Sequence, residues 1–364
     1  MKTNLKIYNP VWGVDVARDW GLEAKEVDLE TALTEPYRLI CVPACFTDPS
    51  NFNYQDFLYD KVQIDFSKFN LVVISDIEQE KYSDIQNWIN SNNIGDHILL
   101  IGASYGNEAG INLETTILRS WWMYNLMRMN TYKEHMQPNK PYWFDVLLGA
   151  RRPHRDFVML NLQKHSQLLD KCIVTYRDGF SGGIIDNQTV DIHNYFPDYK
   201  LAWPYVSKNL EHHWEVKDTI EKSISPFVPW EIYQQTWYTV ICETGYTGDG
   251  FFLTEKTTKA LFAKRLFIMF GPRYFLQKLR ELGFKTFGSI IDEGYDGETH
   301  DLKRYQMAFA QMLSLTHQDP VEVYKKVEEI LEHNRQHLTE LQNKTNARME
   351  ELLLRHIPED FWLS

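Results

Sequence analysis

Two short groups of charged residues have the types and spacing that favour anion binding. The first group opens a predicted helix and consists of Arg151, Arg152, His154 and Arg155. The second group follows a glycine-rich loop and consists of Thr254, Glu255, Lys256 and Lys259. A threonine can cap a helix, and the free N–H groups of a first helical turn, together with a lysine, favour a phosphate. Both groups are therefore candidates for one phosphate-binding site.

Each group also has a plain structural interpretation. A basic cluster at a helix start is often a solvated or salt-bridged surface, and Glu255 beside Lys256 could be an ordinary surface pair. The glycine-rich approach Gly245-Tyr246-Thr247-Gly248-Asp249-Gly250 and the coincidence of the two groups in one half of the chain favour the anion site.

Runs of apolar residues predict the strands and helices that position these residues. Buried strands are predicted at 39–43, 71–74, 98–101, 142–148, 173–176 and 265–271, and helices at 83–94, 156–169 and 274–282. A further strand is predicted before Asp296, and a long amphipathic helix begins at Pro320. Strands that alternate with helices indicate an α/β fold with a doubly wound sheet. Ligands of such sheets bind beyond the carboxyl ends of the strands, so both charged groups are expected to face one crevice.

Length and composition narrow the class of protein. A chain of 364 residues can bury two cores, and two domains imply a cleft between them. The formal charge of −12 argues against a protein that wraps nucleic acid through a basic face. Four cysteines without a paired metal spacing fit reduced thiols in the cytoplasm, and no apolar window is long enough for a membrane span.

The ordered pieces of the second half carry a family resemblance. They are Glu243-Thr244, the run Phe252 to Lys259, Leu266 to Gly271, Leu279 to Phe287 and Asp292 to Asp296. In this order they resemble the donor-binding half of GT-B glycosyltransferases, in particular a group of uncharacterised phage and bacterial proteins, and more distantly fucosyltransferases and exostosin-like enzymes. The resemblance covers about residues 142–305. The chain departs from the pattern at Lys264-Arg265-Leu266, where these families usually have smaller residues or a proline.

The resemblance implies a fold and a division of the chain. It implies two Rossmann-like α/β domains that face a cleft, with a C-terminal helical extension. The acceptor-side domain is expected at residues 1–138, the donor-binding domain at 139–305 and the packing helices at 306–364. It also implies that Lys256 and the arginines of 151–155 approach the diphosphate of a nucleotide sugar and that Glu255 approaches the ribose.

Glycosyl transfer to a hydroxyl group needs a base unless the sugar configuration is retained. Asp76 and Glu78 follow a predicted strand of the N-terminal half, and Asp15 lies in an early loop, so these three are the candidates. Each could equally be a solvated carboxylate. No D-x-D triplet occurs in the sequence, which favours a site without cofactor or metal, in which side chains neutralise the diphosphate.

The sequence therefore predicts a cytoplasmic glycosyltransferase, in the host cytoplasm if the protein is viral. Its partners would be a nucleotide sugar and a soluble hydroxyl acceptor, either a glycan or a hydroxymethylated pyrimidine in DNA. The alternative is a non-catalytic α/β sensor of a nucleotide or phosphate. A Rossmann-type dehydrogenase fits less well, because Ile101-Gly102-Ala103-Ser104-Tyr105-Gly106 does not match G-x-G-x-x-G.

Overall fold

The chain forms two compact units. A computed structural model describes residues 2–9, 22–44, 65–76, 90, 98–102, 116–118, 126–127, 130–149, 152–176, 206–208 and 227–363. One unit comprises Met1–Asn125 with Glu340–Ser364, and the other comprises Leu126–Thr339. The predicted boundaries at residues 138 and 305 stay a prediction. Among the helices in these ranges, none has the length and apolar content of a membrane span.

The first unit is built on a parallel six-stranded sheet in the order β2-β1-β3-β4-β5-β6. The strands are β1 (Lys2–Tyr8), β2 (Glu23–Val27), β3 (Leu39–Ala44), β4 (Leu71–Asp76), β5 (Ile98–Gly102) and β6 (Thr116–Leu118), with helix α1 at Leu29–Thr34 and a 3-10 turn at Phe66–Lys68. The strands predicted at 39–43, 71–74 and 98–101 are confirmed. The helix predicted at 83–94 lies outside the described residues except for Asn90.

The end of the chain completes the core of the first unit. Leu352, Leu353 and Ile357 pack in one apolar cluster with strand residues such as Leu5 and Leu39. The hydroxyl of Tyr37 donates to the carbonyl of His356 at 2.6 Å, and the N–H of Leu363 donates to the carbonyl of Lys2 at 3.0 Å. Burial of these apolar side chains stabilises the sheet face that they cover.

The second unit is built on a five-stranded sheet in the order β11-β10-β7-β8-β9. The strands are β7 (Tyr142–Leu147), β8 (Cys172–Tyr176), β9 (Val206–Lys208), β10 (Thr236–Cys242) and β11 (Phe267–Phe270), and only the β8–β9 pairing is antiparallel. The helices are α2 (Pro153–Lys164), α3 (Ser166–Leu169), α4 (Trp230–Gln235), α5 (Glu255–Phe262), α6 (Phe275–Glu281), α7 (Asp301–Leu315) and α8 (Pro320–His356), whose last residues belong to the first unit. Every residue of β10 is buried, as expected for a parallel strand covered on both faces.

Two predicted elements differ in the structure. The helix predicted at 156–169 begins at Pro153, whose fixed φ suits the first helical position, and it is interrupted at His165. The strand predicted before Asp296 is wrong. The N–H and C=O of Lys285 bond to the Asn334 side chain at 2.7 and 2.8 Å, so a side chain takes the place of a neighbouring strand. The chain then forms a 3-10 turn at Glu293–Gly297.

The departure from the family pattern at Lys264-Arg265 has a structural reason. Lys264 adopts a left-handed backbone conformation with φ 55°. Arg265 then enters the core with an exposure of 0%, and its Nη2 lies 2.7 Å from Oδ1 of Asp145, which is 1% exposed. Its remaining donors reach backbone and hydroxyl oxygens of Tyr233, Thr236 and Thr239. This ion pair ties β7, β10 and the start of β11 together.

Asp145→Asn is expected to destabilise the second unit strongly. The variant keeps the shape of the side chain but leaves the guanidinium of Arg265 buried without its carboxylate, which costs about 3–5 kcal/mol. Urea unfolding measures this loss. Glu322→Gln is the matched control, because the Glu322–Lys325 pair is exposed and should contribute below about 1 kcal/mol. Equal losses in the two variants would contradict the prediction.

Candidate functional site

The described residues of both charged groups lie beyond the carboxyl ends of two neighbouring strands. β7 and β10 pair in parallel, with Tyr238 opposite Phe144 and Val240 opposite Val146. Parallel strands leave the sheet at the same edge, so the loop before α2 and the loop before α5 start side by side. Arg152, His154 and Arg155 therefore lie at the same edge of the sheet as the start of α5, whereas a shared crevice stays a prediction.

The start of α2 donates to three consecutive carbonyl groups at the end of β10. Nη1 of Arg152 donates to the carbonyl of Thr244, and Nε2 of His154 donates to that of Glu243 at 2.9 Å. Nη2 of Arg155 donates to the carbonyl of Cys242 at 3.3 Å. These side chains therefore fix the path of the chain where β10 leaves the sheet.

Lys256 connects the start of α5 to the end of β10. Its Nζ lies 3.3 Å from Oγ1 of Thr244, 3.2 Å from Oγ1 of Thr254 and 3.0 Å from Oε1 of Glu255. The lysine side chain keeps 25% of its surface exposed. An ammonium group that is held in place and still reaches solvent can bind a dissolved anion.

Thr254 caps α5 as predicted, but Glu243 occupies the start of the same helix. The N–H of Lys256 donates to Oγ1 of Thr254 at 3.3 Å, and the N–H of Thr257 donates to Oε1 of Glu243 at 3.4 Å. The sequence predicts free N–H groups at this helix start, but these two N–H groups already have partners. An anion at this end therefore meets the side-chain donors, above all Lys256.

Glu243 is a buried carboxylate surrounded by threonines. Its side chain accepts from the N–H of Thr244 at 3.1 Å and from the hydroxyls of Thr254 and Thr257, each at 2.5 Å. The residue has an exposure of 0%, and no cation of the described ranges forms an ion pair with it. Hydrogen bonds from the threonines stabilise this carboxylate, and the charge of the nearby Arg155 guanidinium attracts it.

Two further titratable groups of α5 lie on one face of the helix, one turn apart. Burial acts to raise the pKa of Glu255, but the ammonium groups of Lys256 and Lys259 outweigh it and hold that pKa below its usual range. Burial lowers the pKa of Lys259 to about 8, although Glu255 opposes the shift. Near neutral pH Glu255 is therefore ionised, and Lys259 is largely protonated.

His154 is a neutral residue inside the site. Burial, and then the charges of Arg155 and Arg152, lower its pKa well below the usual range. Its ring is fully buried and stacks on Tyr246, with ring centroids 5.0 Å apart and planes 8° apart. Because Nε2 carries the proton that bonds the Glu243 carbonyl, Nδ1 is unprotonated. His154 supports the chain between β10 and α5 rather than offering a charge to a ligand.

Side chains from later in the chain hold the glycine-rich loop in place. The carbonyl of Tyr246 accepts from Nη2 of Arg304 at 3.1 Å and from the hydroxyl of Tyr305 at 2.5 Å. The guanidinium of Arg273 pairs with the Asp249 carboxylate at 2.8 and 2.7 Å. Gly248 adopts φ 66°, a conformation that favours glycine. The loop is therefore held at its middle as well as at its ends.

The structure does not describe the side chains of the other predicted site residues. Asp76 is the last residue of β4 in the first unit, and its side chain lies outside the described residues. Asp15, Glu78 and Arg151 also lie outside them. Within the described ranges, no group of three or more His, Cys, Asp or Glu side chains could hold a metal ion. The catalytic assignments and the prediction of a metal-free site stay predictions.

The site also contains residues that sequence reasoning missed. Thr244 and Thr257 bind Glu243, and Tyr246 stacks on His154. The threonine-rich helix start Thr254-Glu255-Lys256-Thr257-Thr258 is a usable signal, because hydroxyls of one helical turn can donate to a carboxylate. The hydroxyls of Thr254 and Thr257 do so, whereas that of Thr258 donates to the carbonyl of Thr254 at 2.8 Å.

Comparisons with known proteins give structural matches only. No protein-family model and no curated protein matches the sequence. Three solved structures are similar over 98% of this chain and 99–100% of their own chains. A T4 phage BGT mutant in complex with UDP-glucose has 12% sequence identity and a TM-score of 0.43. T4 phage BGT in complex with UDP and Mn²⁺ has 11% identity and a TM-score of 0.39, and T4 phage BGT in complex with its UDP-glucose substrate has 12% identity and a TM-score of 0.40. The site must be interpreted from its own residues.

Acidification is expected to destabilise the protein partly through His154. The unfolded chain binds a proton at this histidine below its ordinary pKa of about 6.5, whereas the folded protein does not, so stability falls as the pH falls below that value. The histidine of the unfolded chain is already about half protonated at pH 6.5, so between pH 6.5 and 5.5 the unfolding free energy of His154→Gln, which has no titrating ring, should fall by about 1 kcal/mol less than that of the original protein in urea unfolding. His135, whose pKa burial lowers to about 2, is present in both proteins and cancels. If both proteins lose the same unfolding free energy between these pH values, the conclusion that His154 stays neutral is wrong.

Proposed function

We propose that the protein is a glycosyltransferase that binds a nucleoside-diphosphate sugar at this site and transfers the sugar to a hydroxyl group. The observation that carries the proposal is the convergence of Arg152, Arg155 and Lys256 beyond the carboxyl ends of β7 and β10. Arginine and lysine side chains are the usual protein partners of phosphate, and this edge of a parallel sheet is where ligands bind.

The arrangement favours a diphosphate over a single small anion. Lys256 belongs to the start of α5, whereas Arg152 and Arg155 belong to the start of α2, and both groups contact the residues 242–244. A ligand with two phosphates would span the two helix starts. Glu255, ionised and paired with Lys256, is a suitable acceptor for sugar hydroxyls, which fits the ribose of a nucleotide.

We also propose that side chains rather than a metal ion neutralise the diphosphate. The support is the three cationic side chains together with the largely protonated Lys259. Nucleotide-sugar binding should then persist at full strength in EDTA. Loss of binding in EDTA, and its recovery with a divalent cation, would contradict this part of the proposal.

The acceptor is proposed to be a soluble hydroxyl compound, either a glycan or a hydroxymethylated pyrimidine in DNA. The acidic total of −12 does not favour DNA, which requires local positive charge and gives binding that weakens steeply with salt. Transfer assays with both acceptor classes decide between them. Nucleotide binding without any turnover would favour the sensor function instead.

Lys256→Ala should weaken nucleotide-sugar binding by about 1.5–3 kcal/mol, the range for a hydrogen bond to a charged group. Thermal shift against UDP, GDP, CMP, TDP and their sugar conjugates identifies the nucleotide, and calorimetry then gives the affinity. Lys325→Ala is the control, because Lys325 is a 65% exposed lysine of α8. Unchanged binding in a folded Lys256→Ala protein would remove the basis of the proposal.

The catalytic base is proposed to be Asp76, Glu78 or Asp15. The amide variant of the true base should lower kcat at least about a hundredfold, because general-base catalysis contributes at least that much. The affinity for the nucleotide sugar should stay unchanged, since binding depends on the second unit. If none of the three variants lowers kcat in this way, the assignment is wrong.

A further inference from the structure

Glu243 places a buried carboxylate beside the proposed diphosphate site. Its carboxylate and the ammonium of Lys256 bond the same hydroxyl oxygen, Oγ1 of Thr254, at 2.5 and 3.2 Å. Thr244 provides a second link, because its N–H binds Glu243 while its Oγ1 contacts Lys256. The carboxylate therefore lies one hydroxyl group away from the lysine that is proposed to hold the phosphate.

Nothing in the described part of the chain neutralises this charge by direct pairing. The partners of Glu243 are the three threonines, and Lys256 pairs instead with Glu255. Thr254 accepts from the N–H and from Nζ of Lys256, so the proton of its hydroxyl points to Glu243. Because the carboxylate is buried, solvent screens its field only weakly.

Sugar transfer changes the charge of the bound ligand. The acceptor oxygen forms a bond to the anomeric carbon, and the bond from that carbon to the terminal phosphate oxygen breaks with its electron pair. The proton of the acceptor hydroxyl is released. The donor diphosphate carries two negative charges, whereas the departing nucleoside diphosphate carries about three above the second phosphate pKa of about 6.

We infer that Glu243 is a specificity-determining residue that lowers the affinity of the site for the product nucleotide relative to the donor. This inference rests on the proposed function. A fixed carboxylate near the terminal phosphate repels the third charge of the product, whereas the cations attract both ligands. The consequence is easier product release after each transfer.

The test compares two affinity ratios. Dissociation constants of UDP with UDP-glucose, and of GDP with GDP-mannose, are measured at pH 7.5 by calorimetry for the original protein and for Glu243→Gln. The nucleotide and nucleotide sugar that bind the original protein are the pair used for the comparison. In Glu243→Gln the affinity for the diphosphate relative to its sugar conjugate should rise at least about fivefold, because a unit charge at this range acts strongly in a partly buried site.

Two controls separate charge from packing. Thr257→Val removes one hydrogen bond of Glu243 and keeps its charge, so the ratio should stay at the original value although stability falls. At pH 5.2 the product loses most of its third charge, so the difference between the original protein and Glu243→Gln should shrink. A ratio that shifts equally in Thr257→Val, or that does not depend on pH, would overturn the inference.

The original protein alone provides a measurement if Glu243→Gln does not fold. Between pH 5.2 and 7.5 its affinity for the diphosphate relative to the sugar conjugate should rise less than about tenfold, because Glu243 offsets part of the attraction of the cations for the extra charge. A relative rise of tenfold or more would overturn the inference and leave the proposed function intact. If neither nucleotide pair binds the original protein, both the inference and the proposed function are wrong.

Discussion

The three carbonyl groups of Cys242, Glu243 and Thr244 need hydrogen-bond donors where β10 leaves the sheet. A buried carbonyl without a partner costs about 1–3 kcal/mol. The start of α2 supplies the three donors, one from each of Arg152, His154 and Arg155. The same contacts hold two guanidinium groups beside the start of α5. The arginines that satisfy the carbonyl groups at the end of β10 thus also supply the positive charge that makes the site suitable for phosphate.

The second property of the site is that its cations are balanced by two carboxylates with different partners. Glu255 pairs with Lys256, whereas the carboxylate of Glu243 accepts hydrogen bonds only from threonines in the described part of the chain. His154 contributes no charge, because burial keeps its pKa well below the usual range. The site is therefore moderately rather than strongly cationic, which suits a ligand that must bind, react and leave.

Local patterns predict much of this arrangement, and tertiary contacts explain the rest. Apolar runs identify six strands, and the cap at Thr254 identifies the start of α5. The run Thr236 to Cys242 was missed, although its aromatic and β-branched residues between Pro229 and Gly245 are typical of a buried strand. The hydroxyl partners of Glu243, Thr254 and Thr257, lie 11 and 14 residues further along the chain. No sequence pattern predicts that the loop between them brings these threonines back to Glu243. Similarly, Arg265 and Asp145 are 120 residues apart, so their pairing follows only from the fold.

Hydrogen–deuterium exchange with and without the stabilising nucleotide sugar tests the central claim most directly. It reports where the ligand protects backbone N–H groups and needs no substitution. The account predicts that new protection concentrates at residues 148–158 and 243–260, the two helix starts with their loops. Protection confined to the opposite end of the sheet, around Lys140 and Thr236, or absence of protection in both segments at saturating ligand, would contradict it.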